Sequence, residues 1–440
     1  MHARSGRGLP RYAEQELRGY LRCGVLAHGF ARVRCSSCGH DLLVGFSCKG
    51  RGLCPSCTTR RAHDVATHLE ERVLPRAPYR QWVLTVPWRY RLLLARRPAL
   101  LSLALKLLLR SLFAWQRRQA RRLGIQGQAG AVTFVQRFSS ALRLNVHFHV
   151  VVPDGVFDDE GSFRSLPAPT DDDVLRLVEQ VARRVTRALE GEMTESSDGD
   201  DDEALTALDA ASLSSHQTAL SFTPAPKKKL CAALGGFSLH AATRVRASDR
   251  KGLYRLCHYG ARGALANSRL RELEDGRFAY EMKRPLPGGR THLILTGIEL
   301  LKRLTPLIPP PWSNLTRFHG VFAPSAKLRR LVVPAPEERR SKPPRRPVPD
   351  VTGTFLEVLP KRPSPPLPAR YRIPWAQLLE RVFGTDVLAC PKCPGRMEII
   401  ALLEKPCAVR AILRHLGLRD SPLPVTRSRG PPQPAFDFAE

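Results

Sequence analysis

The chain is 440 residues long and carries 70 Lys and Arg against 40 Asp and Glu, a formal net charge of +30. That excess selects for polyanionic partners, nucleic acid first among them, over the plainer alternative of a solvated basic surface, and the length admits two or three domains with cores of their own. Met1–Pro10 is basic without the apolar run of a secretory leader, so a cytosolic protein is expected, whose 11 cysteines are metal ligands or core thiols rather than disulfides.

Six cysteines fall in the first 60 residues: Cys23, Cys35, Cys38, Cys48, Cys54 and Cys57. Cys35-x2-Cys38 and Cys54-x2-Cys57 are separated by fifteen residues. Each C-x2-C turn aims two thiolates at one ion, so the two knuckles predict one tetrahedral structural zinc site within residues 1–70. Lys49, Arg51, Arg60 and Arg61 lie among these ligands and offer phosphate contacts. Cys23, His28 and Cys48, with His63 nearby, form either a second zinc site or ordinary core thiols and surface imidazoles. The segment has little apolar content of its own, so metal binding and folding should be coupled.

RQWVLTVPW then reads as a strand, and ALLSLALKLLLRSLFAW (Ala99–Trp115), interrupted by Lys106 and Arg110, as a buried helix too short and too charged to span a bilayer. After a Gly-rich turn at Gly124–Gly130 come two further strands, AVTFVQ and VHFHVVV. In the second, alternation places His147 and His149 on one face, about 7 Å apart along the strand, with Phe148 and Val150 turned into a core. Two imidazoles so placed are half of a metal site or a solvent-facing pair. DDDVLRLVEQVARRVTRALE (Asp171–Glu190) has helical spacing with acids at its start. The acidic run Ser196–Glu203 and the basic block Lys227–Lys229 follow.

In DRKGLYRLCHYGARGAL, Asp249 is placed to cap a helix with Leu253, Leu256 and Cys257 on its buried side. Tyr259 comes near the end, between His258 and Arg262, as a basic-flanked nucleophile or simply a half-buried tyrosine. Tyr254, five residues earlier, is about 140° around the helix and is assigned to packing. Residues 336–370 are dense in Pro and Arg and predict an extended linker before a small module at 371–420. There LACPKCPGRMEII holds a lone knuckle, Cys390-x2-Cys393, which is either a pair of plain thiols or a further site completed by Cys407 and His415. Cys231 and Cys257 are expected to be buried small hydrophobes.

A cysteine-rich start, then WVLTVP, TFVQRF, LNVHFHVVVPDGVF, a Tyr-bearing helix, EDGRFAYEMKRPLPGGRTHLIL, LLKRLTPLIPPP and NLTRFHGVFAPSAKLR stand in this order. In these motifs, over roughly residues 15–335, the chain resembles the rolling-circle insertion-sequence transposases. The resemblance implies an α+β fold: an HUH (His-hydrophobic-His) nuclease domain at 75–335, with a central antiparallel sheet flanked by helices, behind a small zinc-ribbon-like domain. It implies structural Zn²⁺ and a catalytic Mg²⁺ or Mn²⁺ on His147 and His149, with Gln136 as third ligand and His240 as runner-up. It also implies that Tyr259 attacks single-stranded DNA at the element's termini, leaving a 5′-phosphotyrosine and a free 3′-hydroxyl. Some members carry two tyrosines four apart on this helix; the spacing of five here makes Tyr259 the principal nucleophile and Tyr254 a secondary candidate.

A plasmid or phage rolling-circle replication initiator would share this chemistry, and a zinc-dependent nucleic-acid-binding protein with an inert histidine pair is the non-enzymatic alternative. The N-terminal zinc knuckles and the lack of a P-loop signature favour transposition. A cytoplasmic, nucleoid-associated bacterial protein without a membrane partner is the corresponding expectation.

Overall fold

The computed structural model describes residues 9–194, 229–283, 285, 289–333, 376, 378, 380, 381 and 386–421. The expected acidic loop Ser196–Glu203 and linker 336–370 lie outside these residues. The chain divides into two compact units, Met1–Glu16 with Gly50–Thr385, and Leu17–Lys49 with Asp386–Glu440.

In chain order, helix α1 (Arg11–Arg22) precedes strands β1 (Phe30–Cys35) and β2 (Asp41–Gly45). Next come α2 (Pro55–Arg72), β3 (Tyr79–Thr85), α3 (Trp88–Arg96), α4 (Pro98–Arg122), β4 (Gly130–Phe138) and β5 (Leu144–Pro153). The hairpin β6 (Gly155–Phe157) and β7 (Phe163–Ser165) leads to α5 (Asp171–Thr194). After the undescribed interval follow β8 (Cys231–Leu234), β9 (Phe237–His240), β10 (Arg244–Val245) and α6 (Arg250–Ala261). A small sheet of β11 (Leu270–Glu272), β12 (Phe278–Glu281) and β13 (His292–Leu295), then α7 (Gly297–Leu304), β14 (Thr316–Gly320) and a helical turn at Arg329–Val332, follow in the larger unit. The tail holds β15 (Met397–Leu403) and α8 (Pro406–His415).

The larger unit is built on one antiparallel sheet in the order β14-β4-β5-β3-β9-β8, with β10 pairing on β3. Its central strands are the β-branched and aromatic runs AVTFV, VHFHVVV and WVLT, which suit a pleated surface covered on both sides. All nine residues of β4 are buried. On one face Val132, Phe134 and Val151 pack with Ala66 and Leu69 of α2 and with Leu253, Leu256 and Cys257 of α6. On the other, Trp82 meets Trp115 of α4 edge-on at 5.6 Å between ring centres. The architecture is α+β, an antiparallel sheet flanked by helices.

Helix α4 is longer than its sequence suggested: at 25 residues it is, among the described residues, the one helix long and apolar enough to cross a membrane. Leu101, Leu105, Leu108 and Leu112 on it are buried in the protein, which is how a core helix meets the same length test.

The smaller unit is a three-stranded antiparallel sheet in which β1 lies between β2 and β15. Phe30 pairs with Leu403 at one end and Cys35 with Met397 at the other. Val409 and Leu413 of α8 close over Phe30. The segment expected as a separate tail module thus supplies the third strand of the sheet begun by the N-terminal cysteine segment.

Candidate active site

Strand pairing sets His147 opposite Gln136 and His149 opposite Phe134, on the sheet face that α6 covers. The imidazole centres are 4.9 Å apart, and Phe148 between them turns to the other face, fully buried. A solvent-facing pair is ruled out, since the two histidines are only 9% and 5% exposed. His147 Nδ1–H donates to the Asn145 carbonyl at 2.8 Å, which fixes the tautomer and leaves Nε2 as its lone-pair nitrogen. His149 has both ring nitrogens buried with no hydrogen-bond partner. Burial pushes His147 down to about 4, and burial together with its neighbour His147 pushes His149 down to about 3, so both rings are neutral near pH 7. A buried, unpartnered ring nitrogen costs about 1–3 kcal/mol. A divalent cation bound by the two neutral imidazoles would offset that cost.

Helix α6 brings the phenol to this pair. Its start is fixed by Asp249, whose carboxylate accepts the Gly252 N–H at 2.7 Å. Near its end Gly260 permits a close approach to β4: a Cβ there would stand 2.4 Å from the Phe134 ring. The Gln136 amide nitrogen donates to the carbonyls of Tyr259 and Gly260, at 2.9 Å each. Two carbonyl acceptors orient the amide, so Gln136 positions the Tyr259 backbone and has only its own carbonyl oxygen left as a metal ligand. The Tyr259 ring meets His149 edge-on at 5.7 Å. Arg262 lies 4.5 Å over the Tyr259 ring and donates to its hydroxyl at 3.4 Å, while Lys283 Nζ stands 4.9 Å from the ring centre.

The other candidates are placed elsewhere. Tyr254 faces α2, where its hydroxyl bonds His63 Nδ1 and its ring stacks on His258 at 6.0 Å. Burial raises its pKa. His63 is therefore engaged with Tyr254 and His258, not with a thiol cluster. His240 shares the face of His149, but Val83 of β3 intervenes, which puts it two strands or about 10 Å away. Gln136, opposite His147, is the better-placed candidate through its carbonyl oxygen.

The thiols pair differently from their spacing. Cys35 and Cys38 converge on Cys390 and Cys393, all four Sγ atoms within 4.8 Å of one another. Cys54 and Cys57 belong to the other compact unit, where Cys54 stands at the N-cap position of α2 and Cys57 in its first turn. The expected single site of Cys35, Cys38, Cys54 and Cys57 is therefore replaced, because a sheet register brings in a knuckle that sequence distance hides. Cys48 N–H donates to Cys23 Sγ at 3.4 Å, and His28 enters no ligand cluster among the described residues. Cys407 and His415 do not join Cys390 and Cys393. Cys257 is buried, with its thiol pushed up to about 12 by desolvation, whereas Cys231 is exposed, against expectation, on β8 at the sheet's edge.

Residues 130–330, which contain the histidine pair, Gln136 and Tyr259, match a family model described as "Putative transposase". Residues 2–86 match a transposase zinc-binding domain of the IS91 type. The chain is a transposase resembling the IS91 type. Neither a curated protein nor a solved structure matches it. The transposase thus processes DNA and carries a zinc-binding segment.

Among the basic residues expected to bind that DNA, Lys49 and Arg61 are exposed. Arg51 is a correction: its guanidinium donates to the Ser313 and Pro310 carbonyls at 2.8 and 2.9 Å and ties a loop of the protein itself. Arg60 donates to Cys57 Sγ at 3.4 Å. Lys283 was missed by sequence reasoning. It lies in EMKRPLP, 24 residues beyond Tyr259, and only the fold brings it to the phenol.

Proposed function

We propose that the transposase cuts and rejoins single-stranded DNA through Tyr259 in rolling-circle transposition of an insertion sequence, acting on the element's termini in the bacterial cytoplasm. In this reading the nuclease domain spans about 75–335. The observation that carries it is His149: two buried, unpartnered ring nitrogens at a distance of 5.7 Å, ring to ring, from a tyrosine under two cations. His147, His149 and the Gln136 carbonyl oxygen would hold Mg²⁺ or Mn²⁺, which would supply polarisation of a phosphoryl oxygen.

The chain's own groups do the rest. Tyr259 Oη forms the bond to phosphorus as the bond from phosphorus to the 3′-oxygen breaks. The proton lost by the phenol is matched by the one the departing 3′-hydroxyl takes up. Arg262 and Lys283 offer positive charge to the phosphoryl oxygens, and the Gln136 tie holds Tyr259 against the sheet. One phosphodiester is exchanged for another, so attack by a second 3′-hydroxyl rejoins DNA without ATP.

Purified transposase with Mn²⁺ and single strands of candidate ends should give a covalent adduct that survives denaturation. The adduct should be absent with EDTA and in Tyr259→Phe, and present in Tyr254→Phe. Adduct that persists in Tyr259→Phe and is lost in Tyr254→Phe contradicts the assignment, and no adduct on any end supports DNA binding alone.

A further inference from the structure

Cys390 and Cys393 lie outside both matched regions, which end at residues 86 and 330. They are 352 or more residues from Cys35 and Cys38, yet Cys35 Sγ is 3.5 Å from Cys393 Sγ and Cys38 Sγ is 3.5 Å from Cys390 Sγ. A tetrahedron with Zn–S bonds of 2.3 Å has sulfurs about 3.8 Å apart, so the set needs almost no rearrangement to enclose an ion.

The backbone around the sulfurs is also that of two metal knuckles. Lys392 N–H donates to Cys390 Sγ at 3.4 Å, and Gly395 N–H to Cys393 Sγ at 3.3 Å. On the facing knuckle Gly39 N–H closes the turn onto the Cys35 carbonyl at 3.0 Å, with Gly39 at φ +72°, a conformation that favours glycine. Gly395 has no room for a side chain: a Cβ there would stand 2.9 Å from Cys35 Sγ and 2.6 Å from Ser37 Oγ. Ser36 N–H donates to the Arg396 carbonyl at 3.3 Å, stitching the knuckles together beside the β1–β15 ladder. The set contains no disulfide.

We propose that Cys35, Cys38, Cys390 and Cys393 bind a single structural Zn²⁺ that fastens the C-terminal segment to the N-terminal cysteine segment as one metal-folded unit. Its core is otherwise slight, a few residues around Val33, Cys35 and Met397 and a few around Phe30, so the ion supplies much of what holds it. A consequence follows for synthesis. The last ligand is made only after the whole sheet domain, so a chain that stops before residue 390 lacks half the ligand set and strand β15.

The test uses full-length protein and counts zinc per chain by elemental analysis, independently of DNA chemistry. Three double or quadruple variants are compared: Cys35→Ser with Cys38→Ser, Cys390→Ser with Cys393→Ser, and all four together. Each should lose one equivalent, the quadruple variant no more than either pair. Loss of two equivalents in the quadruple variant would mean separate ions, and full retention in the C-terminal pair would mean that residues 390 and 393 are not ligands; either overturns the proposal. Cys390→His, which conserves a ligand, should retain the ion and shift the visible bands of the cobalt-substituted protein, whereas unchanged bands would contradict ligation at residue 390. Loss of zinc in Cys407→Ser, with retention in Cys35→Ser, would instead place a site within the tail.

Discussion

Gln136 makes the position of Tyr259 a property of the sheet. Its amide donates to two carbonyls at the end of α6, so the strand that carries the opposite partner of His147 also holds Tyr259. Gln136→Met keeps the length and removes both donors, and should slow adduct formation by about 10–100-fold, as loss of a supporting group around a metal does. Saturating Mn²⁺ should not restore the rate; full recovery at high Mn²⁺ would show that Gln136 acts only as a ligand. The histidine pair was legible because strand alternation needs no partner, and Tyr259 because Asp249, Leu253 and Leu256 mark a capped amphipathic helix. The tie to Gln136 and the reach of Lys283 were not, since both depend on which elements become neighbours. Nor was the tie of Arg51 legible: the sequence does not show that Pro310 and Ser313 turn their carbonyls toward it.

Among the elements, α6 and the sheet bring Tyr259 and the histidine pair together, and Gly260 is a point of close contact between them. Gly260→Ala puts a methyl 2.4 Å from Phe134, so α6 must lift from β4 or the ring must move. Overpacking of this kind costs about 1–3 kcal/mol. Adduct formation should drop further than stability because Tyr259 is the adjacent residue; unchanged adduct yield in a variant of lowered melting temperature would argue against the close approach. The sheet also carries two buried imidazoles and a half-buried one, and desolvation pushes His147, His149 and His319 of β14 down, to about 4, 3 and 4. An unfolded histidine binds its proton near pH 6.5, so as pH falls from about 6.5 towards 4 the unfolded chain takes up protons that the folded one refuses. The metal-free protein should therefore lose melting temperature across that window, and His319→Gln should flatten part of the loss, both read by calorimetry. The strands themselves were plain in AVTFV and VHFHVVV, but their order was not, because no local signal says that β5 lies between β4 and β3.

At the scale of the whole molecule, the +30 charge and the transposase matches agree on DNA as the substrate. The zinc knuckles show the limit of reading a chain by spacing. Fifteen residues between Cys38 and Cys54 suggest one ribbon, whereas strand pairing carries Cys35 and Cys38 to a knuckle 352 or more residues away. The central claim, however, is chemical: one phenol takes the DNA. The measurement that tests it most directly is digestion of the adduct to peptides and sequencing of the nucleotide-bearing one by mass spectrometry. The account predicts a 5′-phosphate on Tyr259 alone. A nucleotide on Tyr254, or on any residue away from the histidine pair, would contradict it.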